Sequence, residues 1–509
     1  MSASPIYITG LATNDPVPGI YPEINFAQGA ASGNSTAYEA CLIGNKTSAG
    51  TATAGTVIYG PDTVVPMQTE QDVKTLFGAG SELHIMWRAF TRVNKSTTLR
   101  AIVVAESAGT AASGTITIAT TATASGNLRV WVGREFVDVA IATGDTATVI
   151  GDALAAAVNA MDHWPVTATN GSGTVTLLAK IKGPRGNQIR IMGAIQSSGT
   201  IATTVSPTAD TALTSGATAD TNATALATLS THRHYYLVSA AGDATQLGAL
   251  ATQVNTQAMP VTNQRQRVFA GAVGTLSASN AIAVGINNPR VEIVWSERSD
   301  MTEAELAANA AAIYSLGELN TDNPRTNYIG YGNTAKSAET WFVPAPRDAS
   351  YHPSRTSIKS ALNNGLSPIG VNANGSTYLV DRITTRSLSG SIQDYRIRDA
   401  HKVTICDLFA DELCTKLALN HSEKRIADEP GEGEKFPGRN VLIPSIARAD
   451  VNGLLDKFAS NDLLQSVETI KSETVVQRES SPTTRMGIRV PLRPIDNVKQ
   501  FAVAIDQVA

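Results

Sequence analysis

Three cysteines in 509 residues, Cys41, Cys406 and Cys414, are too few for a disulfide framework and fit a reducing compartment. Cys406 and Cys414 form no CxxC pair and read as small apolar residues on one helix. No apolar run reaches the roughly 18–20 residues that cross a bilayer, so membrane insertion is not expected. The opening MSASPIYITG has neither a basic segment nor a long apolar one, so no secretory leader and synthesis in the cytoplasm are expected. Lysines and arginines are not gathered into a stripe or a tail, and the net charge is −4. That balance gives no footprint for nucleic acid and little for a membrane surface.

Motifs of chemistry are also missing. HExxH, the EF-hand loop and GxSxG do not occur. Gly78-Ala79-Gly80, with Glu106 after the next strand, imitates half a dinucleotide fingerprint. A helix precedes Gly78, however, and Leu83 stands where the third glycine belongs, so the glycines read as helix punctuation. Gly431 and Gly433 lie among Glu429, Glu432 and Glu434, which would repel a phosphate. That loop reads as a solvated loop or a docking loop for a charged partner. His232 and His234 flank Arg233 without an acid or cysteine at ligand spacing. No catalytic, cofactor-binding or metal residue is assigned, and the chain is not expected to be an enzyme. An α/β enzyme would place convergent polar residues at strand ends, and none are evident.

What is there begins at the two ends. Phe501, Val503 and Ile505 alternate with Ala502, Ala504 and Asp506, the period of a strand with one buried face. Ser4 to Gly10, with Ile6, Tyr7 and Ile8, is a short apolar strand, and Ile20 and Tyr21 belong to a second extended run. Pro16, Pro18 and Pro22 keep that segment out of helix. Strands at chain ends must pair their backbone groups somewhere. Two such ends suggest a protein that links copies of itself.

The length admits roughly two to four domains. The fold class read from the pattern is α/β (α+β multidomain): a helix-covered mixed sheet, an inserted β-rich domain, and extended N- and C-terminal β-arms. An arm covers 1–30, and a first part of the core 31–105. The Thr-, Ala-, Ser- and Gly-rich insertion covers 106–230. A second part of the core covers 231–480, and a C-terminal strand and linking arm 481–509. In 31–105, Ala40–Gly44 and Leu99–Ala105 read as buried strands. Thr69 to Asp72 opens a helix that Gly78 ends, and Ser81 caps the next. In the insertion, Gly114–Ala119, Asn127–Val132, Glu135–Ile141 and Thr174–Ala179 read as strands, Thr148–Met161 as a helix, and 200–225 as loop. From Tyr235 the order β-α-β-α-β predicts a parallel sheet, with Asp243 capping one helix. Asp300 with Glu303 is expected to form a capping box for another. Residues 340–400 read as extended, Pro-rich pieces. The longest helix is expected over 400–425 with a stripe of Ile405, Phe409, Leu413 and Leu417, and another helix near 447–459. Terminal strands are expected over 486–492 and 499–508.

Pro18-Gly19-Ile20-Tyr21-Pro22-Glu23-Ile24 resembles the PGVY-x-E segment near the start of contractile-tail sheath proteins. Leu76-Phe77-Gly78-Ala79-Gly80-Ser81-Glu82-Leu83 is similar to the LFG-x-GS-x-L segment of sheaths from Mu-like myophages. The helix ending in Lys424-Arg425-Ile426-Ala427-Asp428-Glu429 is similar to the end of their long C-terminal-domain helix. The resemblance covers most of the chain outside 106–230 and implies stacked hexameric rings around a tail tube, a particle that shortens to drive the tube through a host envelope, and no nucleotide hydrolysis. It implies as partners other copies of the chain, a tail tube protein, and baseplate and tail terminator proteins. The location would be the virion tail, after assembly in the host cytoplasm. Arms bearing Ile6, Tyr7, Ile8, Ile20, Tyr21, Phe501, Val503 and Ile505 would cross between subunits. Lys424, Arg425, Lys435 and Arg439 are candidates for tube contact. The sheath of a bacteriocin-type injection particle shares these features. A non-contractile surface or adhesin protein would call for a secretion signal.

Overall fold

The computed structural model describes residues 38–197, 201–318, 343–394, 396–435, 438 and 440–496. Its centre is an eight-stranded sheet. The spatial order is Thr377–Leu379, Ser367–Val371, Val291–Trp295, Arg267–Ala272, Tyr236–Ser239, Ala40–Asn45, Leu99–Val104 and Ile58–Tyr59. All inner neighbours run parallel, and the two outermost strands are antiparallel. Parallel strands covered on both faces read as continuous apolar runs. Alternate residues then feed opposite cores: Ala40 and Leu42 one, Cys41 and Ile43 the other. Helices Glu70–Phe77, Glu82–Thr91 and Glu303–Glu318 cover the first face. Ala223–Leu229, Ala244–Gln257, Leu276–Ile286 and Arg355–Asn363 cover the second.

The helix starts follow local chemistry. Thr69 and Asp72 form a capping box, Ser81 accepts from the His84 amide, and Asp243 caps its helix. Gly78 ends the first helix with φ at 81°, a conformation glycine adopts without penalty. The expected box of Asp300 and Glu303 is displaced by two residues. Thr302 and Glu305 exchange the reciprocal hydrogen bonds, the Thr302 amide donating to Glu305 at 2.9 Å. Asp300 pairs instead with Arg347 at 3.2 Å.

Between Val104 and Ala223 the chain builds a core of its own from two four-stranded antiparallel sheets and the Ala147–Ala160 helix. Ile150, Leu154 and Val158 of that helix pack inward. Two strands that sequence reading did not mark, Val166–Gly171 and Arg190–Gln196, complete the sheets. The stretch read as loop also contributes: Thr204–Ser206 and Thr211–Ala212 pair as strands, and the Ala223–Leu229 helix packs on the central sheet. The region read as extended pieces holds the Arg355–Asn363 helix and two strands of the central sheet.

The last described part is a helical unit. The long helix, Ala400–His421, packs Ile405, Phe409 and Leu413 against Val451, Leu454, Leu455 and Phe458 of the Pro444–Ser460 helix. The long helix stops four residues before Arg425, because Arg425–Ile426 pairs as a short strand with Val441–Leu442. The Val475–Arg478 and Met486–Arg489 strands form a hairpin in which Ile488, paired with the buried Val476, lies against the same core. The second strand is shorter than the 486–492 expected. The strands expected at Ser4–Gly10 and 499–508 lie outside the described residues.

Candidate assembly site

The long helix is buried along a second, polar face. Asp407 and Asp411, one turn apart, meet arginines that stand at the amino ends of three adjacent strands of the central sheet. Arg290 Nη1 and Nη2 donate to Asp407 Oδ2 and Oδ1 at 2.7 and 2.8 Å, and the Tyr235 hydroxyl donates to the same carboxylate at 3.1 Å. Arg265 Nη1 reaches Asp411 Oδ1 at 2.9 Å, Arg233 binds the other oxygen, and the Tyr38 hydroxyl lies 3.3 Å from it. Beside them, Arg267 bonds Thr404 of the helix and Glu292 of its neighbouring strand, and Arg382 grips Glu292 at 2.8 and 3.1 Å. Burial alone would raise the Asp407 pKa, but the Arg290, Arg265 and Arg267 guanidiniums hold it below the usual carboxylate range. Burial would lower Arg290 and Asp407 more than offsets it. Burial and the neighbouring Asp411 push Tyr38 well above the usual phenol range.

Convergent charged side chains at strand ends are therefore present, where sequence reading found none. They come from 38, 233–235, 265–267, 290–292, 382 and 404–411, segments that only the fold brings together. The carboxylates are each gripped by guanidiniums, and Asp407 has no exposed surface. This is the chemistry of a joint: a paired ion network holds the helical unit at one orientation to the sheet, and losing one partner strands the other.

The opposite end of the sheet is plugged. Strand order reverses between Ala40–Asn45 and Tyr236–Ser239, and open α/β sheets bind ligands beyond the carboxyl ends at such a point. Here the insertion supplies Arg185, which donates to Glu82 Oε1 at 2.6 Å, to both oxygens of Asp220 at 2.7 Å, and to Asn45. Burial would lower Arg185, but Glu82 and Asp220 hold it above its ordinary value. The seat of a ligand is thus occupied by a side chain that fastens the insertion to the sheet. Gly78 and Gly80 border the same seam, where the Lys180 ammonium bonds the Ala79 carbonyl at 3.2 Å. No group of metal-ligating side chains occurs among the described residues, and no helix described is long and apolar enough to cross a membrane.

No family model matches the chain. The Mu-like prophage FluMu tail sheath protein of Haemophilus influenzae is 23% identical over 498 residues, covering 96% of each chain. The similarity to that tail sheath protein runs along nearly the whole of both chains. Solved structures similar to this chain include sheath tail proteins from Desulfitobacterium hafniense and Listeria innocua. The first has TM-score 0.46 and 11% identity and covers 97% of this chain and 100% of the other; the second has 0.47 and 9%, covering 92% and 95%.

The arm residues Ile6, Tyr7, Ile8, Ile20, Tyr21, Phe501, Val503 and Ile505 lie outside the described residues, as does Arg439. Lys424 is half-buried just after the long helix, Arg425 is exposed on the short strand at the neck of the 427–440 loop, and Lys435 is exposed within the loop. The structure thus brings Lys424 and Arg425 together and sets Lys435 further along the same loop. The loop's acids divide. Asp428 pairs with Arg478 at 2.7 Å, and Glu429 accepts from the Ser445 amide at 3.0 Å, capping a helix that has no cap of its own. His234, flanked by Arg233, is buried 3.4 Å from Glu39, with its ring stacked on His232. Sequence reading missed the Asp407–Asp411 face. Its signal was an arginine just before each of three strands and two aspartates four apart inside an otherwise apolar helix.

Proposed function

We propose that this chain is the structural subunit of a contractile tail sheath, polymerising as stacked hexameric rings around a tail tube and shortening to drive the tube through a host envelope. The observation that carries this reading is the similarity along 96% of the chain to a tail sheath protein. Its partners are then further copies of itself, the tail tube protein, and baseplate and tail terminator proteins. Its place is the tail of the particle, after assembly in the host cytoplasm. Its role is mechanical rather than enzymatic, because contraction needs only an extended assembly of higher free energy than the contracted one, with a barrier between them.

The division of the chain supports this reading. The arms 1–30 and 481–509 link neighbours, 31–105 and 231–480 form the body, and the 106–230 insertion lies on the outside. Strand addition suits the links, since backbone hydrogen bonds give affinity and alternating side chains give register. A two-stranded hairpin is marginal alone, and the Val475–Arg478 and Met486–Arg489 pair is the natural base for added strands. About six hydrogen bonds at roughly 0.5–1.5 kcal/mol each, with burial of Phe501, Val503 and Ile505, give several kcal/mol after ordering costs. Lys424, Arg425, Lys435 and Arg439 form the wet, charged contact to the tube, a kind of contact that can slip.

The test is deletion of Lys499–Ala509. The expected product is a soluble, folded monomer that forms no tubes by electron microscopy, while the full chain forms them. Normal tubes from the truncated chain would overturn the arm model. A full chain that never polymerises would overturn the sheath reading.

A further inference from the structure

Between the Glu82–Thr91 helix, the 94–98 loop and the Arg134–Glu135 turn of the insertion lies a cleft of about 850 Å³. Its walls carry the cations Arg88, Arg92, Lys95 and Arg134, with Trp87 beside them. Among the described residues, two carboxylates, Glu70 and Glu135, share the cleft, and both are engaged. Glu70 lies 3.1 Å from His84 and 3.6 Å from Lys74, and also faces Arg88. Glu135 accepts from the Trp164 indole at 2.9 Å and pairs with His163. Burial and the guanidinium of Arg134 lower the Arg92 pKa, with Arg88 adding to the effect against Glu135. A cleft in which arginines crowd one another favours an anion of peptide size.

The same chain displays a matching anion. Asp428–Lys435 carries four carboxylates and one lysine. Asp428 and Glu429 are spent on Arg478 and Ser445, as described above. Glu432 and Glu434 stand on the exposed 431–435 tip, where Glu434 accepts from the Gly431 amide at 2.9 Å, and Gly433 has open space on its side-chain side.

We propose that the cleft receives the Gly431–Glu434 tip of a neighbouring copy, with Glu432 and Glu434 entering among Arg88, Arg92, Lys95 and Arg134. This rests on the sheath reading insofar as it needs adjacent copies. It assigns Glu432 and Glu434 a partner distinct from that of the loop's basic residues, which face the tube. A contact of solvated charges between copies is specific in register yet weak enough to break and re-form as subunits move.

The experiment titrates a capped synthetic peptide of Asp428–Lys435 into the full chain and reads binding by calorimetry at low and high salt. Binding is expected, weakening with salt. It should weaken roughly tenfold in the Arg92→Glu, Lys95→Glu chain, and similarly for a peptide with Glu432→Gln and Glu434→Gln. Arg92 and Lys95 are exposed, so that variant should keep its fold, which circular dichroism checks. Absence of binding at millimolar peptide, equal binding by the variant chain, or equal binding of the neutral peptide would each overturn the proposal. Tube formation by the unaltered chain tests the sheath reading separately. If tubes form, Glu432→Arg with Glu434→Arg should restore assembly lost in the Arg92→Glu, Lys95→Glu chain, and failure of that rescue also overturns the contact.

Discussion

Arg290, at the amino end of a central strand, holds Asp407 of the long helix through two parallel hydrogen bonds of 2.7 and 2.8 Å. The planar guanidinium matches the carboxylate, so the pair fixes direction as well as distance. Neither side chain has more than 3% of its surface exposed.

Asp407→Ala should therefore destabilise the chain by about 3–5 kcal/mol, since it leaves Arg290 and Arg265 buried without this carboxylate. Replacing both partners, Asp407→Leu with Arg290→Met, should cost less than the sum of the single changes. Urea unfolding of the four chains gives the coupling directly. Additive effects would mean that the pair contributes nothing beyond its two sites.

His84 makes stability depend on pH. Its ring is fully buried; Nδ1 accepts from the Gly80 amide at 3.0 Å and Nε2 lies 3.1 Å from Glu70. Burial lowers its pKa to about 4, against the pull of Glu70, with the charges of Arg88 and Lys74 adding to the fall. The unfolded chain, with an ordinary histidine, binds the proton first. The stability His84 contributes is thus present above about pH 6.5 and lost as pH falls toward 4. His234, also lowered to about 4 chiefly by burial, acts in the same sense. The unfolding free energy read from urea titrations should fall between pH 7 and pH 4.5 by roughly 2–5 kcal/mol in all, and His84→Gln should flatten part of that slope.

How much of this was legible is uneven, for physical reasons. Strands such as Ala40–Asn45 and Val291–Trp295 announce themselves because burial on both faces demands unbroken apolar runs. Caps at Ser81 and Asp243 are legible because the hydrogen bonds are local. The Ile405, Phe409 and Leu413 stripe is legible for its period. Glu303 mimicked a cap while Glu305, two residues on, made it, since both stand within reach of a helix start. The ion network was hidden because its members are remote in sequence, Arg290 and Asp407 by 117 residues. Arg185 gave no sign that it would cross from the insertion to fill the carboxyl end of the sheet.

Arg185→Met tests that plug. Glu82 and Asp220 would lose their shared cation while remaining buried or nearly so. The expected result is faster amide exchange in Glu82–Thr91 and Pro184–Gln188, with the Ala40–Asn45 strand protected as before. Unchanged exchange at both seam elements would show that packing, not the ion cluster, fastens the insertion.

The insertion should also fold by itself. Its core of Ile116, Leu128, Val130, Leu154, Val158, Val175 and Leu177 is drawn from within the insertion. Its two ends meet: Thr110 pairs with Ala217, and the Ser107 hydroxyl donates to the Thr218 carbonyl at 2.7 Å. A segment covering 106–219 is thus expected to be soluble, with a cooperative thermal transition and dispersed amide resonances. The complementary chain, with Ala105 joined to Asp220 by a short glycine linker, keeps Glu82 and Asn45 but loses Arg185. It should fold with its central sheet intact, and Glu82→Gln in that background should raise its melting temperature by removing a stranded carboxylate. On the sheath reading, this shortened chain should still polymerise. An isolated segment that remains disordered would show that the insertion depends on the seam for its structure, and the outer-domain placement would fail with tubes that no longer form.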